Sequence, residues 1–181
     1  YDAINKGINL ASGDVIGILH SDDFYTDHNV LFNVNEVFEK KNVDIVYGDL
    51  LYVSKNKKLN IRFWRAGEFL DKNMKKGWMP PHPTVFIKKE VFRKIGYYNT
   101  DYKISSDYDF LIRVFKDYNI RKQYIKKTLI KMRIGGKSNK SITNLLRKTF
   151  EDFKIIKKNK IGGILTLLKK NYSKISQLYQ K

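Results

Sequence analysis

Apolar residues recur at helical spacing from the first residue of this chain. Ile4, Ile8 and Ala11 share one face of Tyr1–Leu10, and Gly13 follows as a stop. Val15, Ile16, Ile18 and Leu19 then crowd into Asp14–Leu19. Such a run predicts a short strand covered on both faces, as in a parallel sheet flanked by helices. Thr26 or Asp27 is placed to cap a helix whose inner face is Val30, Leu31, Val34, Val37 and Phe38. A β-branched strand at Val43–Tyr47 follows, and the alternation of helix and strand indicates α/β architecture. Leu50–Val53 and Leu59–Trp64 flank Ser54-Lys55-Asn56-Lys57-Lys58 and read as a hairpin.

Gly77-Trp78-Met79-Pro80-Pro81-His82-Pro83 excludes regular helix and central strand, because proline removes donors and fixes φ. A stiff loop is expected there, leading into a strand at Thr84–Ile87 and a short helix at Lys88–Ile95. Ser105-Ser106-Asp107-Tyr108-Asp109-Phe110 opens another helix, with Phe110, Leu111, Val114 and Phe115 facing inward. Tyr124–Met132 reads as a strand ending in the basic loop Arg133-Ile134-Gly135-Gly136-Lys137-Ser138. Two amphipathic helices close the chain. Ile142, Leu145, Leu146, Phe150 and Phe153 stripe the first; Ile161, Ile164, Leu165, Leu168, Tyr172 and Ile175 stripe the second, with Gly162-Gly163 as the break.

At 181 residues the chain is one domain with room for an appendage. It has no cysteine, which removes disulfides and thiolate metal sites. No apolar stretch approaches the roughly 20 residues of a membrane-spanning helix. The chain opens inside a helix and without Met, so a preceding segment is expected to be missing. Charge divides the chain sharply. Residues 1–120 carry 18 Lys and Arg against 16 Asp and Glu; residues 121–181 carry 18 against 2, and the net charge is +18. That field attracts phosphates on nucleic acid, anionic lipid or substrate. It also marks the boundary between residues 1–140 and a helical tail at 141–181.

Asp22 and Asp23 stand where the first strand should end, the usual place for ligands in open α/β sheets. Two adjacent carboxylates in a partly dry cleft call for a compensating cation, and a hard divalent ion bridging to phosphates suits them. Capping of the next helix is the competing account. In the later helix, Ser106 as N-cap puts Asp109 at the third helical position, an approximate capping box. Asp107 then lies roughly 200° away around the helix, at about 100° per residue, free to face a cleft. A helix-dipole role is the alternative for Asp107.

The ordered blocks Tyr1-Asp2-Ala3-Ile4-Asn5-Lys6-Gly7-Ile8, Ser12-Gly13-Asp14-Val15-Ile16-Gly17, Ser21-Asp22-Asp23, Pro81-His82-Pro83-Thr84-Val85-Phe86, Ser106-Asp107-Tyr108-Asp109-Phe110 with Arg113, and Gly135-Gly136-Lys137-Ser138 look familiar together. Through residue 140 they resemble the middle of a family 2 glycosyltransferase of the kind that builds bacterial capsule, O-antigen or exopolysaccharide. The resemblance implies a GT-A (Rossmann-like) fold lacking its first βαβ region, with an open sheet edge and half of the donor pocket. Whether this chain is active by itself stays open. It also implies a nucleotide-sugar donor, Mg²⁺ or Mn²⁺, and inversion at the anomeric carbon. Asp23 matches the metal ligand, and Asp22 the contact to the donor's ribose or sugar, or to the metal. Asp107 matches the catalytic base, although the usual Glu-Asp pair reads Ser106-Asp107 here. Asn5 and Lys6 fall beside the donor.

Other residues keep two accounts each. His82 orients a sugar or bonds to backbone, and Trp78 stacks on a sugar or fills the core. Arg133 and Lys137 meet the diphosphate or are solvated charge. His20, with no second histidine nearby in sequence, reads as structural. The tail at 141–181 adsorbs to an anionic membrane surface at the inner face of the cell membrane, near a saccharide or lipid-linked acceptor, or packs on the domain. The runner-up function is a basic nucleic-acid-binding or membrane-adaptor module without catalysis. Against nucleic acid, aromatic and basic residues do not interleave in an RNA-binding pattern.

Overall fold

The computed structural model describes residues 1–134 and 142–176, the last three by backbone alone. Its elements are α1 (Asp2–Leu10), β1 (Val15–Gly17), β2 (Asp23–Tyr25), α2 (Val30–Lys40), β3 (Ile45–Val53), β4 (Asn60–Trp64) and α3 (Asp71–Met74). After a 3-10 turn at His82–Thr84 come β5 (Phe86–Lys88), α4 (Lys89–Ile95), α5 (Ser106–Lys116), β6 (Lys122–Arg133), α6 (Ile142–Lys158) and α7 (Ile164–Ser176). The strands form one sheet in the order β1-β5-β3-β6-β2, with β4 paired to β3. A small core of Val30, Val34, Val46, Leu50, Phe86, Leu129 and Ile130 lies under α2. A larger core joins Ile45, Tyr47 and Ile87 to side chains of α1, α4, α5 and α6. The sheet is therefore covered on both faces, as the helix–strand alternation predicted.

Two local expectations change. The sheet is mixed: among the described residues only β3 and β6 run parallel, while β1 pairs antiparallel with β5. β1 is an edge strand of three residues, so Leu19 beyond it has no covering layer and is 44 % exposed. The caps also differ. Asp27 accepts the Asn29 N–H at 2.8 Å in a turn ahead of α2 and does not cap the helix from N-cap position. The hairpin is present as β3–β4.

β3 and β6 hold the sheet together. At one end Arg121 donates through Nε and Nη2 to the two oxygens of Asp44 at 3.0 and 2.8 Å, and its backbone N–H adds a third bond. Midway the pairing shifts between Tyr47 and Asp49, where β6 carries extra residues. Gly48 sits at that shift. A Cβ there would lie 2.7 Å from the Leu129 side chain and 2.8 Å from the Lys127 carbonyl oxygen. The Gly48 carbonyl in turn accepts from Thr84 at 2.8 Å, tying the proline-rich loop to the sheet.

The two C-terminal helices enter the same large core through Ile155, Ile156, Ile161 and Leu167. Their buried faces take only part of the apolar stripes that the sequence suggested, Ile161 in the core and Phe153 against it. Glu151, Asp152, Thr166 and Lys170 are buried, whereas Leu145, Phe150, Leu165 and Tyr172 are more than half exposed. The buried polar groups are paired: Asp152, 1 % exposed, lies 2.7 Å from Lys148 Nζ and 2.6 Å from Lys170 Nζ. Lys170 also sits 3.4 Å over the ring of Tyr108 in α5. Burial opposes ionisation of Asp152, but the two ammonium groups prevail and hold it below the ordinary carboxylate range.

Gly48→Ala should destabilise the fold by about 1–3 kcal/mol, because a backbone carbonyl must move to admit the methyl group. Urea denaturation would measure it, and an unchanged midpoint would contradict this account of the bulge.

Candidate active site

The Ser21-Asp22 turn leads into β2, whose first residue is Asp23, and the Asp23 N–H donates to the His20 carbonyl at 2.9 Å. Asp23 lies opposite Met132 of β6, which buries its side chain to 8 % exposure. One carboxylate oxygen, Oδ2, is buried without a hydrogen-bond partner. Burial raises the Asp23 carboxyl above its ordinary range; His20 and Arg133 oppose the shift and Asp22 adds to it. The Asp22 side chain is 66 % exposed. Arg133 holds the turn by its backbone, donating to the carbonyls of Asp22 at 3.0 Å and Ser21 at 3.3 Å, with Asp22 Oδ1 3.8 Å away.

Asp107 occupies the second residue of α5. The Tyr1 hydroxyl lies 3.0 Å from Asp107 Oδ1 and 2.7 Å from the Ile104 carbonyl, so one proton serves two acceptors. Burial, reinforced by Asp107, pushes the Tyr1 phenol well above its ordinary value, and it stays a donor. The Tyr1 ring stacks on Tyr98 at 5.7 Å, and the Tyr98 hydroxyl lies 2.9 Å from His82 Nε2. His82 in turn lies 5.7 Å from His20, ring to ring. A continuous string thus runs from Asp107 through Tyr1, Tyr98 and His82 to His20 beside Asp23. Burial lowers His82 to about 4 against the pull of Asp107, so its imidazole is neutral near pH 7.

The capping box expected at α5 is absent. Asp109 is 1 % exposed and accepts from Arg113 Nε at 2.9 Å; Arg113 also donates to the carbonyls of Ile95 and Tyr97. The segment before α5 is held from α6. The Glu151 carboxylate accepts the successive N–H groups of Lys103, Ile104 and Ser105 at 3.0, 2.9 and 2.9 Å. A carboxylate at a helix N-terminus is favoured by its dipole as well as by those bonds.

Several expected residues have other partners. The Asn5 side chain exchanges two hydrogen bonds with the Tyr98 backbone, at 2.8 and 3.1 Å, and so fixes the tyrosine. Lys6 pairs with Asp2 on the exposed side of α1, outside the string. Trp78 packs among Tyr47, Phe69 and Phe115, and its indole N–H donates to the Ala66 carbonyl at 2.8 Å. These contacts give Trp78 its core account. Lys137 lies outside the described residues.

Sequence reasoning missed Tyr98, Glu151 and a row across the sheet. Met132 is in register with both Asp23 and Tyr52, and Tyr52 with Arg62. The Arg62 guanidinium sits 4.4 Å over the Tyr52 ring. Burial raises the Tyr52 phenol, Arg62 opposes this, and Asp23 and Asp107 both add to it. Tyr52 thus feels both carboxylates. No motif marks Tyr52 or Tyr98. Glu151 did carry a signal, as one of only two acids among residues 121–181.

A family model described as glycosyl transferase family 2 matches residues 1–136. The chain belongs to this family. The PGL/p-HBAD biosynthesis glycosyltransferase of Mycobacterium bovis is 31 % identical over 141 residues, covering 77 % of this chain and 53 % of that protein. The uncharacterized glycosyltransferase MJ1057 of Methanocaldococcus jannaschii is 26 % identical, over 75 % and 47 % of the two chains. The chain spans about half the length of the curated relatives it matches. Among solved structures, S. aureus TarS superposes with a TM-score of 0.59 at 14 % identity, over 87 % of this chain and 26 % of TarS. That likeness concerns the fold alone, and it agrees with a GT-A, Rossmann-like core. Glu151 and both C-terminal helices lie beyond the family match.

Two outcomes follow from this geometry. Glu151→Ala strands three N–H groups and should cost on the order of 3 kcal/mol in urea denaturation, with Glu151→Gln in between; equal stability of all three proteins would exclude the capping role. For His82 the folded pKa of about 4 lies below the unfolded value near 6.5. The unfolded state therefore binds the extra proton, and stability falls as pH drops from 6.5 towards 4. His82→Gln should flatten that part of the stability–pH curve; an unaltered curve would contradict the neutral imidazole.

Proposed function

We propose that the protein containing this chain transfers a sugar from a nucleoside-diphosphate donor to a saccharide or lipid-linked acceptor, with inversion, in surface polysaccharide or glycolipid synthesis. The observation that carries this reading is the pairing of Asp23, with its unpartnered buried oxygen, and Asp107 at the two ends of one hydrogen-bonded and stacked string. The family membership supports the reaction class, and the relatives' names support glycoconjugate synthesis.

Asp107 is the proposed base. It takes the proton of the acceptor hydroxyl as that oxygen bonds to the anomeric carbon, and the bond from that carbon to the diphosphate oxygen breaks with its electron pair. Attack from the face opposite the leaving group inverts the centre. Tyr1 orients Asp107 by its hydroxyl, and Glu151 steadies the backbone that presents it. Asn5 acts through Tyr98, which holds His82 as a neutral partner for a sugar hydroxyl. Asp22, exposed at the turn, is placed to meet the donor's ribose or sugar, and Arg133 shapes the turn beneath it.

Asp23 Oδ2 fits a hard cation, with Asp22 as its neighbour. Among the described residues no three His, Cys, Asp or Glu side chains gather to hold an ion by themselves, so donor phosphate oxygens would complete the shell. When bound there, Mg²⁺ or Mn²⁺ supplies charge neutralisation for the departing nucleoside diphosphate.

Asp107→Asn should lower kcat by about 10²–10⁴-fold while donor affinity holds, measured on the protein at its natural length. Retention of activity within a few-fold of wild type would remove Asp107 from this role.

A further inference from the structure

The first turns of α6 and the face of α7 that is turned away from the core carry a chemistry that the catalytic reading does not use. On α6, Ile142, Leu145, Leu146 and Phe150 are 57–79 % exposed. On α7, Ile164, Leu165, Leu168 and Tyr172 are 57–72 % exposed. At about 100° per residue, the exposed set of α7 lies opposite its buried set of Thr166, Leu167 and Lys170. On α7 one face therefore packs on the domain and the apolar stripe is the other; on α6 the exposed apolar residues are those of the first turns, from Ile142 to Phe150, while Ile155 and Ile156 are buried and Phe153 packs on the core. The exposed set forms a contiguous patch in each helix rather than scattered single residues.

Charge says what this surface fits. Residues 121–181 hold 18 basic residues and two acids. Both acids are turned inward: Glu151 is 7 % exposed on the α5 segment, and Asp152 is 1 % exposed between two lysines. The outer surface of both helices thus presents no carboxylate, while Arg147, Lys154, Lys157, Lys158 and Lys169 are exposed around the stripe. Lys154 Nζ lies 4.5 Å over the Phe150 ring, so a basic group stands directly beside the apolar side chain. An apolar stripe bordered by ammonium groups complements acyl chains bordered by anionic headgroups. A second copy would set two strongly positive surfaces against each other, and nucleic acid would leave the aliphatic stripe uncovered. No described helix is long and apolar enough to cross a membrane.

We infer that the first turns of α6 and the outward face of α7 form a docking surface for an anionic phospholipid bilayer, on which the protein lies without spanning it. The inference deepens the glycosyl-transfer reading and rests on it for purpose: a surface-bound enzyme meets a lipid-linked acceptor in two dimensions. Because Glu151 sits one residue after Phe150, the helix that lies on the lipid is also the helix that steadies the Asp107 segment.

The test is co-sedimentation of the natural-length protein with vesicles of mixed phosphatidylglycerol and phosphatidylcholine, against phosphatidylcholine alone, with neither donor nor acceptor present. The expected result is binding to the anionic vesicles only. It should be weakened about tenfold or more by Leu145→Asp with Leu165→Asp, and reduced by high salt. Both substitutions are at exposed positions, and an unchanged melting curve establishes that the variant is folded. Equal sedimentation of variant and wild type would overturn the inference. So would dimerisation that the double substitution abolishes, or a stripe covered by another part of the same polypeptide so that vesicles do not bind. Binding to single-stranded RNA in place of vesicles would overturn it as well. Vesicle binding by an inactive protein would fault the catalytic reading alone, and transfer activity without vesicle binding would fault the docking surface alone.

Discussion

The parallel pairing of β3 with β6 is the contact on which the rest of this structure depends. β3 gives one whole edge to β6 and divides the other between β5 and β4. Asp44 and Arg121 lock the pair at its start, and the shift at Gly48 re-aims its far half. Met132 of β6 then stands in register with both Tyr52 and Asp23. The Arg133 guanidinium, one residue further, holds the carbonyls of the Ser21-Asp22 turn. A sheet transmits position through register, since a slip of one residue would turn Asp23 to the opposite face. The acidic turn is thus located by a strand more than a hundred residues away in sequence.

A second constraint is how buried carboxylates are shared out. Asp44 meets Arg121, Asp109 meets Arg113, Asp152 meets two lysines, Glu151 meets three backbone N–H groups, and Asp49 meets the Tyr124 hydroxyl and the Ala66 N–H. A buried charge persists when it is paired or fully hydrogen-bonded. Each of these five has such partners and a structural duty. Asp23 has only the more distant influence of His20 and Arg133, whereas the half-buried Asp107 accepts from the Tyr1 hydroxyl. Asp23, whose buried Oδ2 has no hydrogen-bond partner and which joins no ion pair, differs from these five, and it stands at the candidate site.

The C-terminal helices serve both themes. They close the large core, cap the segment before α5 with Glu151, and hold Asp152 between Lys148 and Lys170. Their outer faces keep the aliphatic residues that the core did not take. An amphipathic pattern reports that a helix has an apolar side, and leaves open which layer covers it. Here the inward face is mixed, with Ile155, Ile156 and Leu167 beside the ion-paired Asp152 and Lys170.

The chain's own sequence determined its α/β class, the β3–β4 hairpin, the break at Gly162-Gly163 and the family, because local periodicity, turn chemistry and ordered motifs are written in consecutive residues. It also separated Asp107 from Asp109 by helical spacing, although Asp109 proved to anchor Arg113 instead of capping α5. Only the tertiary structure decided that β1 runs antiparallel at an edge, and that Trp78 belongs to an aromatic core. Nor could sequence show that Asn5 grips Tyr98, that Tyr1 bonds Asp107, or that Glu151 reaches the N–H groups ahead of α5. Those contacts join residues 46–106 positions apart. Their partners are backbone groups and phenols that no motif distinguishes. What a carboxylate or an apolar stripe does depends on what folding sets against it, and that is a property of three dimensions.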